Sequence, residues 1–387
     1  MNKTDKLVPK LRFKQFLDED DKMTWRLYQM SDVVEINSGQ DYKHLSKGNI
    51  PVYGTGGYMT SVDDSLSNKN AIGIGRKGTI DRPFYLKAPF WTVDTLFYSL
   101  PKSNMNINFI LQIFRNVNWK IYDESTGVPS LSKNVINKIK INIPSLPEQT
   151  AIGNFFKKID ERITANEHKL ERLKQQKKGL LQKMFPKKDE TVPEMRFKGF
   201  DGEWKESQLK GLLLKNKNKN KDLKVTNVES VSNKTGFTKQ TDQFNNYSVA
   251  SSDLSNYYVI SEHQFAYNPS RINVGSIAYK ELGDKVSVVS PLYVSFSVNK
   301  QMDDKFLWYW LKSSAFERQR QRLAEGGVRD TLSFNQLSEM RLLLPSISEQ
   351  SHIGTFFQKY DQIINSQQNK INHLKKQKQA LLQQMFV

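Results

Sequence analysis

One segment of this chain is written twice. PEQTAIGNFFKKID, from Pro147 to Asp160, returns as SEQSHIGTFFQKYD, from Ser348 to Asp361. Glu148, Gln149, Ile152, Gly153, Phe155, Phe156 and Asp160 recur at a constant offset of 201 as Glu349, Gln350, Ile353, Gly354, Phe356, Phe357 and Asp361. The match runs without a gap to Met184-Phe185 and Met385-Phe386. A shorter echo precedes each copy: PKLRFKQF from Pro9 and PEMRFKGF from Pro193, each followed by acidic residues and a tryptophan, Trp25 or Trp204. A chain with such an internal repeat folds as two versions of one plan. Each half reads as a short entry arm, a longer variable body and a basic terminal segment.

The terminal segments carry a helical seam. Ile152, Phe156, Ile159, Ile163, Asn166, Leu170, Leu173, Lys177, Leu180 and Met184 alternate steps of four and three. The second copy repeats this with Ile353, Phe357, Tyr360, Ile364, Gln367, Ile371, Leu374, Lys378, Leu381 and Met385. That spacing belongs to a coiled coil, and the polar interruptions Asn166, Lys177, Gln367 and Lys378 fix register and partner number at a cost in stability. Pro144 and Pro147 mark the entry of the first helix, Pro345 that of the second, and Pro186 ends the first. Each helix is expected to span about 33 residues, roughly 50 Å at 1.5 Å per residue. One reading is an intermolecular zipper. The other is pairing within the chain, favoured because a tethered partner of equal length is present at high effective concentration. Antiparallel internal pairing would hold the two bodies at opposite ends of a rod.

The bodies diverge. Short apolar runs such as NAIGIG (Asn70 to Gly75) and KVSVVSPLYVSF (Lys285 to Phe296) predict turn-punctuated strands. Helical segments follow, INFILQIFRNV from Ile107 and DKFLWYWLKSSAFERQRQRL from Asp304, then the loops STGVPSLSKNVI (Ser125 to Ile136) and EGGVRDTLSFNQL (Glu325 to Leu337). The fold class is therefore α+β: two α/β bodies separated by two long helices that form an intramolecular antiparallel coiled coil, in a pseudo-twofold repeat. The sequence divides into an arm (1–24), a first body (25–146), a first helix (147–186), a linker (187–203), a second body (204–346) and a second helix (347–387).

Gly73 to Gly78 satisfies GxGxxG, with Asp94 near the acidic position, but a dinucleotide-binding turn must open a helix. TIDRPFYLKAPFW follows instead. A glycine turn between strands fits better, presenting Arg76 and Lys77 with Thr79 and Arg82 nearby. The turn is expected either to set its amides and cations against phosphates and an arginine against a guanine edge, or to be a solvated basic hairpin. In the second body, FAYNPSRINVGSIAY offers Asn268, Ser270, Arg271 and Asn273, residue types that pair with adenine and guanine. The two later loops add Ser130 and Lys133, and Arg329 and Thr331. Asn268-Pro269-Ser270-Arg271 lacks the second proline and the aromatic of the amino-methyltransferase signature. The run KNKNKNK, Lys215 to Lys221, is expected to be a mobile basic loop.

The formal net charge of +18 and pI near 9.6 point first to nucleic acid or acidic surfaces, the other reading being a basic surface kept for solubility. There is no cysteine, which excludes disulfides and thiolate metal sites, and the five histidines are scattered. No apolar run approaches the roughly 20 residues a membrane span needs, and the N-terminus lacks the apolar stretch of a signal peptide. A cytoplasmic protein is expected. No Walker loop, nucleophile elbow or cofactor fingerprint survives inspection, so a recognition module is expected, the alternatives being a stand-alone DNA-modifying enzyme or a coiled-coil adaptor.

Two unlike bodies alternating with two near-identical helices, each beginning EQxxIGxFFxKxD and ending LLQxMF, resemble the specificity (S) subunit of type I restriction-modification systems. The likeness covers essentially the whole chain. It implies that each body is a target recognition domain reading one half of a split double-stranded DNA site, with the helices as the ruler between halves. It implies docking of two modification (M) subunits, which bind S-adenosylmethionine and methylate adenine at N6. Two restriction (R) subunits, which use ATP and Mg, would complete the assembly. The chain itself would be non-catalytic and free of cofactor and metal, and would work in the bacterial cytoplasm at the nucleoid. The signature residues Glu148, Gln149, Ile152, Phe155, Phe156 and Asp160, with Leu173 and Leu180, would serve packing and docking. So would their counterparts Glu349, Gln350, Ile353, Phe356, Phe357, Asp361, Leu374 and Leu381.

Overall fold

The computed structural model describes residues 9–17, 25–239, 253–324 and 331–386. They form two compact units: unit 1 is Met1–His168 with Gln368–Val387, and unit 2 is Lys169–Gln367. Each long helix is thus shared between the units rather than forming a domain of its own.

Unit 1 contains strands β1 (Arg26–Gln29), β2 (Val34–Ser38), β3 (Lys47–Gly54), β4 (Gly57–Val62), β5 (Ala71–Gly75), β6 (Phe84–Leu86), β7 (Trp91–Thr92), β8 (Leu96–Pro101) and β9 (Lys140–Ile143). Its helices are α1 (Met30–Val33), α2 (Ile107–Asn116), α3 (Lys133–Lys138) and the first part of α4 (Leu146–Lys183). The main sheet runs β2-β8-β5-β6, a second sheet runs β4-β3-β7, and β1 pairs with β9. Every residue of β5 is buried, which is why NAIGIG is uniformly apolar. Helix α2 packs against this sheet with six consecutive buried residues, Phe109 to Phe114. Asn106 caps it, its Oδ1 accepting from the amides of Asn108 and Phe109.

Unit 2 repeats the plan. Its strands are β10 (Lys205–Gln208), β11 (Leu213–Lys215), β12 (Glu229–Ser232), β13 (Gly236–Lys239), β14 (Tyr258–Ile260), β15 (Phe265–Tyr267), β16 (Ile277–Tyr279), β17 (Ser287–Val289), β18 (Val294–Val298) and β19 (Arg341–Leu344). The sheet β11-β18-β15-β16 answers β2-β8-β5-β6, and the pair β10-β19 answers β1-β9. The helices are α5 (Asp304–Trp310), α6 (Ser314–Ala324), α7 (Phe334–Glu339) and α8 (Ile347–Met385), the last shared with unit 1.

Two expectations are corrected here. The single helical run from Asp304 breaks into α5 and α6, because Ser313 accepts from the amide of Phe316 and starts a new helix. KNKNKNK is not a mobile loop. Asn216 and Asn220 are buried, their amide groups donating to the carbonyls of Val259 and Val225. The lysines point outward, and Lys215 and Lys219 lie over the rings of Phe334 and Tyr258. Alternate asparagines pin the backbone and leave a row of cations in solvent.

The long helices have 38 and 39 residues, more than the seam alone required. They pair antiparallel within each unit. In unit 1 the first part of α4 meets the last part of α8, and in unit 2 the first part of α8 meets the last part of α4. Every seam position of both helices is buried or half-buried, while the residues between are largely exposed. The internal pairing is therefore the one observed.

The repeated signature is the assembly code of each unit. Glu148, 1% exposed, receives Nε and Nη2 of Arg12 from the entry arm, both at 2.7 Å; Glu349 receives the same two atoms of Arg196 at 2.7 Å. Gln149 Oε1 accepts from the amide of Asn106 at 3.0 Å and Gln350 Oε1 from that of Asp303 at 2.8 Å, tying each long helix to the start of its body helix. Each glutamine also donates from Nε2 to a proline carbonyl, Pro144 or Pro345. Phe155 and Phe356 pack edge-on against Phe13 and Phe197 of the arms. The closing Met-Phe pairs return to these cores: Phe386 stacks on Phe109 at 5.4 Å, and Phe185 lies 5.4 Å from Phe306.

The signature glycines permit this approach. A Cβ on Gly354 would lie 2.9 Å from both the amide nitrogen of Phe306 and Oδ1 of Asp303; one on Gly153 would lie 2.8 Å from the amide nitrogen of Phe109. Alanine raises intrinsic helix propensity by about 1 kcal/mol over glycine, yet here it collides with backbone. Gly354→Ala is expected to lose about 1–3 kcal/mol of stability through overpacking. A urea midpoint at or above that of the unmodified protein would show that the close approach does not matter.

Candidate nucleic-acid interface

The candidate reading residues lie on matching hairpins of the two main sheets. In unit 1 the antiparallel pair β5–β6 closes through Arg76 to Pro83, so Gly73 and Gly75 sit in a strand and open no helix. A Cβ on Gly75 would fall 2.0 Å from the carbonyl oxygen of Thr79, which makes glycine obligatory in this turn. Arg76, Lys77 and Arg82 are exposed and Thr79 is half-buried. The amide of Leu131 donates to the carbonyl of Arg76 at 2.9 Å, and that of Gly78 to Pro129 at 2.8 Å. These bonds bring the STGVPS loop beside the hairpin. Arg76, Lys77, Ser130 and Lys133 consequently line one cleft of about 390 Å³.

Asp123 clasps that loop. Its Oδ1 accepts from the amides of Ser125 and Ser130 and from the Ser125 hydroxyl. The Ser130 amide, followed by the Ser125 groups, holds the carboxyl below the usual range, so the charged form is the one that shapes the loop. Ser132 then caps α3 by accepting from the amide of Val135, and Lys133 extends its amine over Phe97.

In unit 2 the equivalent hairpin β15–β16 closes through Asn268 to Ser276, with a short 3-10 turn and Gly275 at φ 84°. Asn268 shapes the turn: its Oδ1 accepts from the amide of Ser270, which commits part of its capacity to structure rather than to a base edge. Ser270, Arg271 and Asn273 are exposed. Arg271 lines a cleft of about 310 Å³ with Asn233 and Ser276, and Asn273 lines a separate cleft of about 1050 Å³. The amide of Leu332 donates to the carbonyl of Pro269 at 3.0 Å, the counterpart of the Leu131–Arg76 tie. Exposed Thr331 stands next to this tie, and Arg329 lies outside the described residues.

Two large side chains are exposed next to the β3–β4 turn. Strand β4 carries Tyr58 and Met59, 63% and 53% exposed, and the Thr55 hydroxyl of the β3–β4 turn lies near Gly78 of the neighbouring hairpin. The signal in the sequence was GTGGYMT, a glycine-dense turn that exposes an aromatic.

The signature residues face inward. Glu148, Gln149, Ile152, Phe156 and their counterparts Glu349, Gln350, Ile353 and Phe357 are buried in their own units, where they build the fold. Phe155, Phe356, Leu173, Leu180 and Leu381 are half-buried, and Leu374 is buried. The first residues of the long helices, Leu146 and Ile347, are 41% and 50% exposed, an apolar pair at equivalent places. Among the described residues no helix is long and apolar enough to cross a membrane, and no cluster of three His, Asp or Glu could hold a metal ion.

Duplicated recognition modules on shared helices, each presenting a polar, cation-bearing hairpin, define a DNA-reading protein with two heads. The model of the type I restriction modification DNA specificity domain matches twice, over residues 22–175 and 201–376, and the chain belongs to that family. It is a type I restriction-modification specificity subunit with DNA recognition domains. The type I restriction enzyme MjaVIII specificity subunit of Methanocaldococcus jannaschii is 23% identical over 342 residues, covering 82% of this chain and 75% of that protein. The crystal structure of a type I restriction-modification S subunit from M. genitalium matches 98% of this chain and 99% of its own, with 14% identity and a TM-score of 0.67. A structure described as the basis of complex assembly and conformational transition of the type I R-M system matches 92% of this chain and 96% of its own, with 12% identity and a TM-score of 0.50.

Proposed function

We propose that the two bodies each read one half of a split double-stranded DNA site and that the paired helices set the interval between the halves. The observation that carries this reading is the duplication itself: two modules that share a four-stranded sheet and a flanking strand pair but differ in their remaining strands and hairpins, each built onto the same pair of helices. Two M subunits dock on the chain and supply S-adenosylmethionine chemistry at adenine N6. Two R subunits join through them and supply ATP- and Mg-dependent cleavage. The chain adds no catalytic group and no cofactor, and acts in the bacterial cytoplasm at the nucleoid. The exposed apolar pair Leu146 and Ile347 is the candidate contact for a partner present in two copies.

Arg76 and Arg271 are the leading base readers, with Lys77, Arg82, Lys133, Arg329 and the polar residues Thr79, Ser130, Asn268, Ser270, Asn273 and Thr331 around them. Arg76→Ala is expected to cost about 1–3 kcal/mol of discrimination at one half-site, roughly a 5- to 150-fold change, with assembly intact. Arg271→Ala should do the same at the other half. The measurement is methylation of DNA carrying single-base changes in either half, by the S subunit assembled with its M partner. Unchanged discrimination in both variants would sink the assignment, and robust methylation by the isolated chain would overturn its non-catalytic role.

A further inference from the structure

The helical seam contains two lysines where an apolar residue would pack better. Lys177 and Lys378 occupy matching places in the two copies, and each is only 13% exposed. Each amine reaches across to the helix running the other way. In unit 1, Lys378 Nζ donates to Asp160 Oδ1 at 2.6 Å; in unit 2, Lys177 Nζ donates to Asp361 Oδ1. These aspartates are the last residues of the repeated signature.

The second oxygen of each carboxylate is held from the body. Arg115 of α2 donates to Asp160 Oδ2, and the Tyr309 hydroxyl of α5 donates to Asp361 Oδ2 at 2.8 Å. The carboxylates are thereby fixed and cannot follow a lysine that slides. Both pairs obey a single antiparallel register, since 160 and 378 add to the same total as 361 and 177. A one-heptad slip in one sense sets the lysines opposite Gly153 and Gly354. In the other sense it sets Lys378 opposite Glu167, which Lys375 holds at 2.7 Å in the native alignment and would lose, and Lys177 opposite the uncharged Gln368. Either slip strands at least one half-buried ammonium away from its carboxylate.

A half-buried ion pair adds little net stability over a well-packed apolar pair, but breaking one is expensive, and its best-attested use is to fix register. We propose that Lys177–Asp361 and Lys378–Asp160 are register keys: positioning residues that select one alignment of the long helices and so set the spacer length accepted between the half-sites. The proposal rests on the split-site reading above. A heptad slip is ~10 Å of helix at 1.5 Å per residue, about three base-pair steps at ~3.4 Å each, so the keys act on a length that DNA resolves.

The test uses the S subunit assembled with its M partner and a series of DNAs whose half-sites are fixed and whose spacer varies one base pair at a time. The unmodified complex should methylate one spacer length strongly, and a flat profile there would refute the split-site reading itself. K177M/K378M should keep its helix content and, because Asp160 stays on Arg115 while Asp361 keeps only Tyr309, lose some thermal stability, yet raise methylation at neighbouring spacer lengths at least ten-fold relative to the optimum. K177R/K378R, which keeps both pairs, should keep the narrow optimum. An equally narrow profile in the methionine variant would overturn the proposal. Because the chain has no cysteine, Gln176→Cys with Tyr360→Cys, at positions whose side-chain tips meet at 3.0 Å, can be bridged by a short bismaleimide that reports register. That crosslink should weaken in the methionine background, and full retention would also count against the keys. Should the double variant fail to assemble, K378M alone is read by the same two measurements.

Discussion

Arg196→Ala is expected to destabilise unit 2 by about 3–5 kcal/mol, a fall in Tm on the order of 10 °C for a unit of this size. The reason is the place of Glu349, which is 1% exposed and holds both carboxylate oxygens on the guanidinium fork. The same arginine donates to the carbonyls of Gly202 and Asp201, so the whole linker turn is gathered on one side chain. Removing it leaves a carboxylate in an apolar core with no cation. Arg196→Lys keeps the charge but not the two parallel bonds, and should lose an intermediate amount. Arg196→Met with Glu349→Leu removes both charges and should recover most of the loss, because the penalty comes from the orphaned charge. Thermal and urea unfolding of the three variants separate these cases. A loss below about 1 kcal/mol for Arg196→Ala, the value of an exposed pair, would show that the arm is not part of the core.

The repeat, the heptads and their internal pairing were legible because periodicity is a local property of sequence. Their meaning was not. The echo PxxRF was visible, but the partners of its arginines lie 136 and 153 residues away, and nothing local marks Glu148 or Glu349 as their receptors. The same distance hid the keys: Lys177 and Lys378 read as interruptions, and only the folded pairs identify Asp160 and Asp361 as the other halves. Where local composition alone guided the reading it misled, as in KNKNKNK, whose alternate asparagines pin backbone. The hairpins bearing Arg76 and Arg271 were found from their glycines and prolines. That each is tied to the loop before a short helix depends on single backbone bonds, Leu131 to Arg76 and Leu332 to Pro269, which no sequence pattern encodes.

Phe156→Ala is expected to cost about 3–5 kcal/mol, whereas Phe155→Ala should cost about 0.5–1.5 kcal/mol beyond its lost burial, although the two are neighbours of one type. Phe156 is fully buried in the core of unit 1, 6.1 Å from Phe386 and close to the Ile152 seam. Phe155 is half-buried and meets the arm through Phe13 at 5.6 Å. A docking role for the signature predicts the opposite pattern, with both variants as stable as the parent and both failing to bind an M subunit. A packing role predicts a large fall in Tm for Phe156→Ala before any partner is added. Phe155→Ala should stay folded and lose protection of the arm against proteolysis. Phe357→Ala in unit 2 should reproduce the larger loss, since its ring lies 5.1 Å from Tyr309, which holds Asp361. If Phe156→Ala unfolds at the parent temperature, the repeated segment is a surface for partners. If it unfolds on the order of 10 °C earlier, the segment is written twice because each unit needs its own copy of one core.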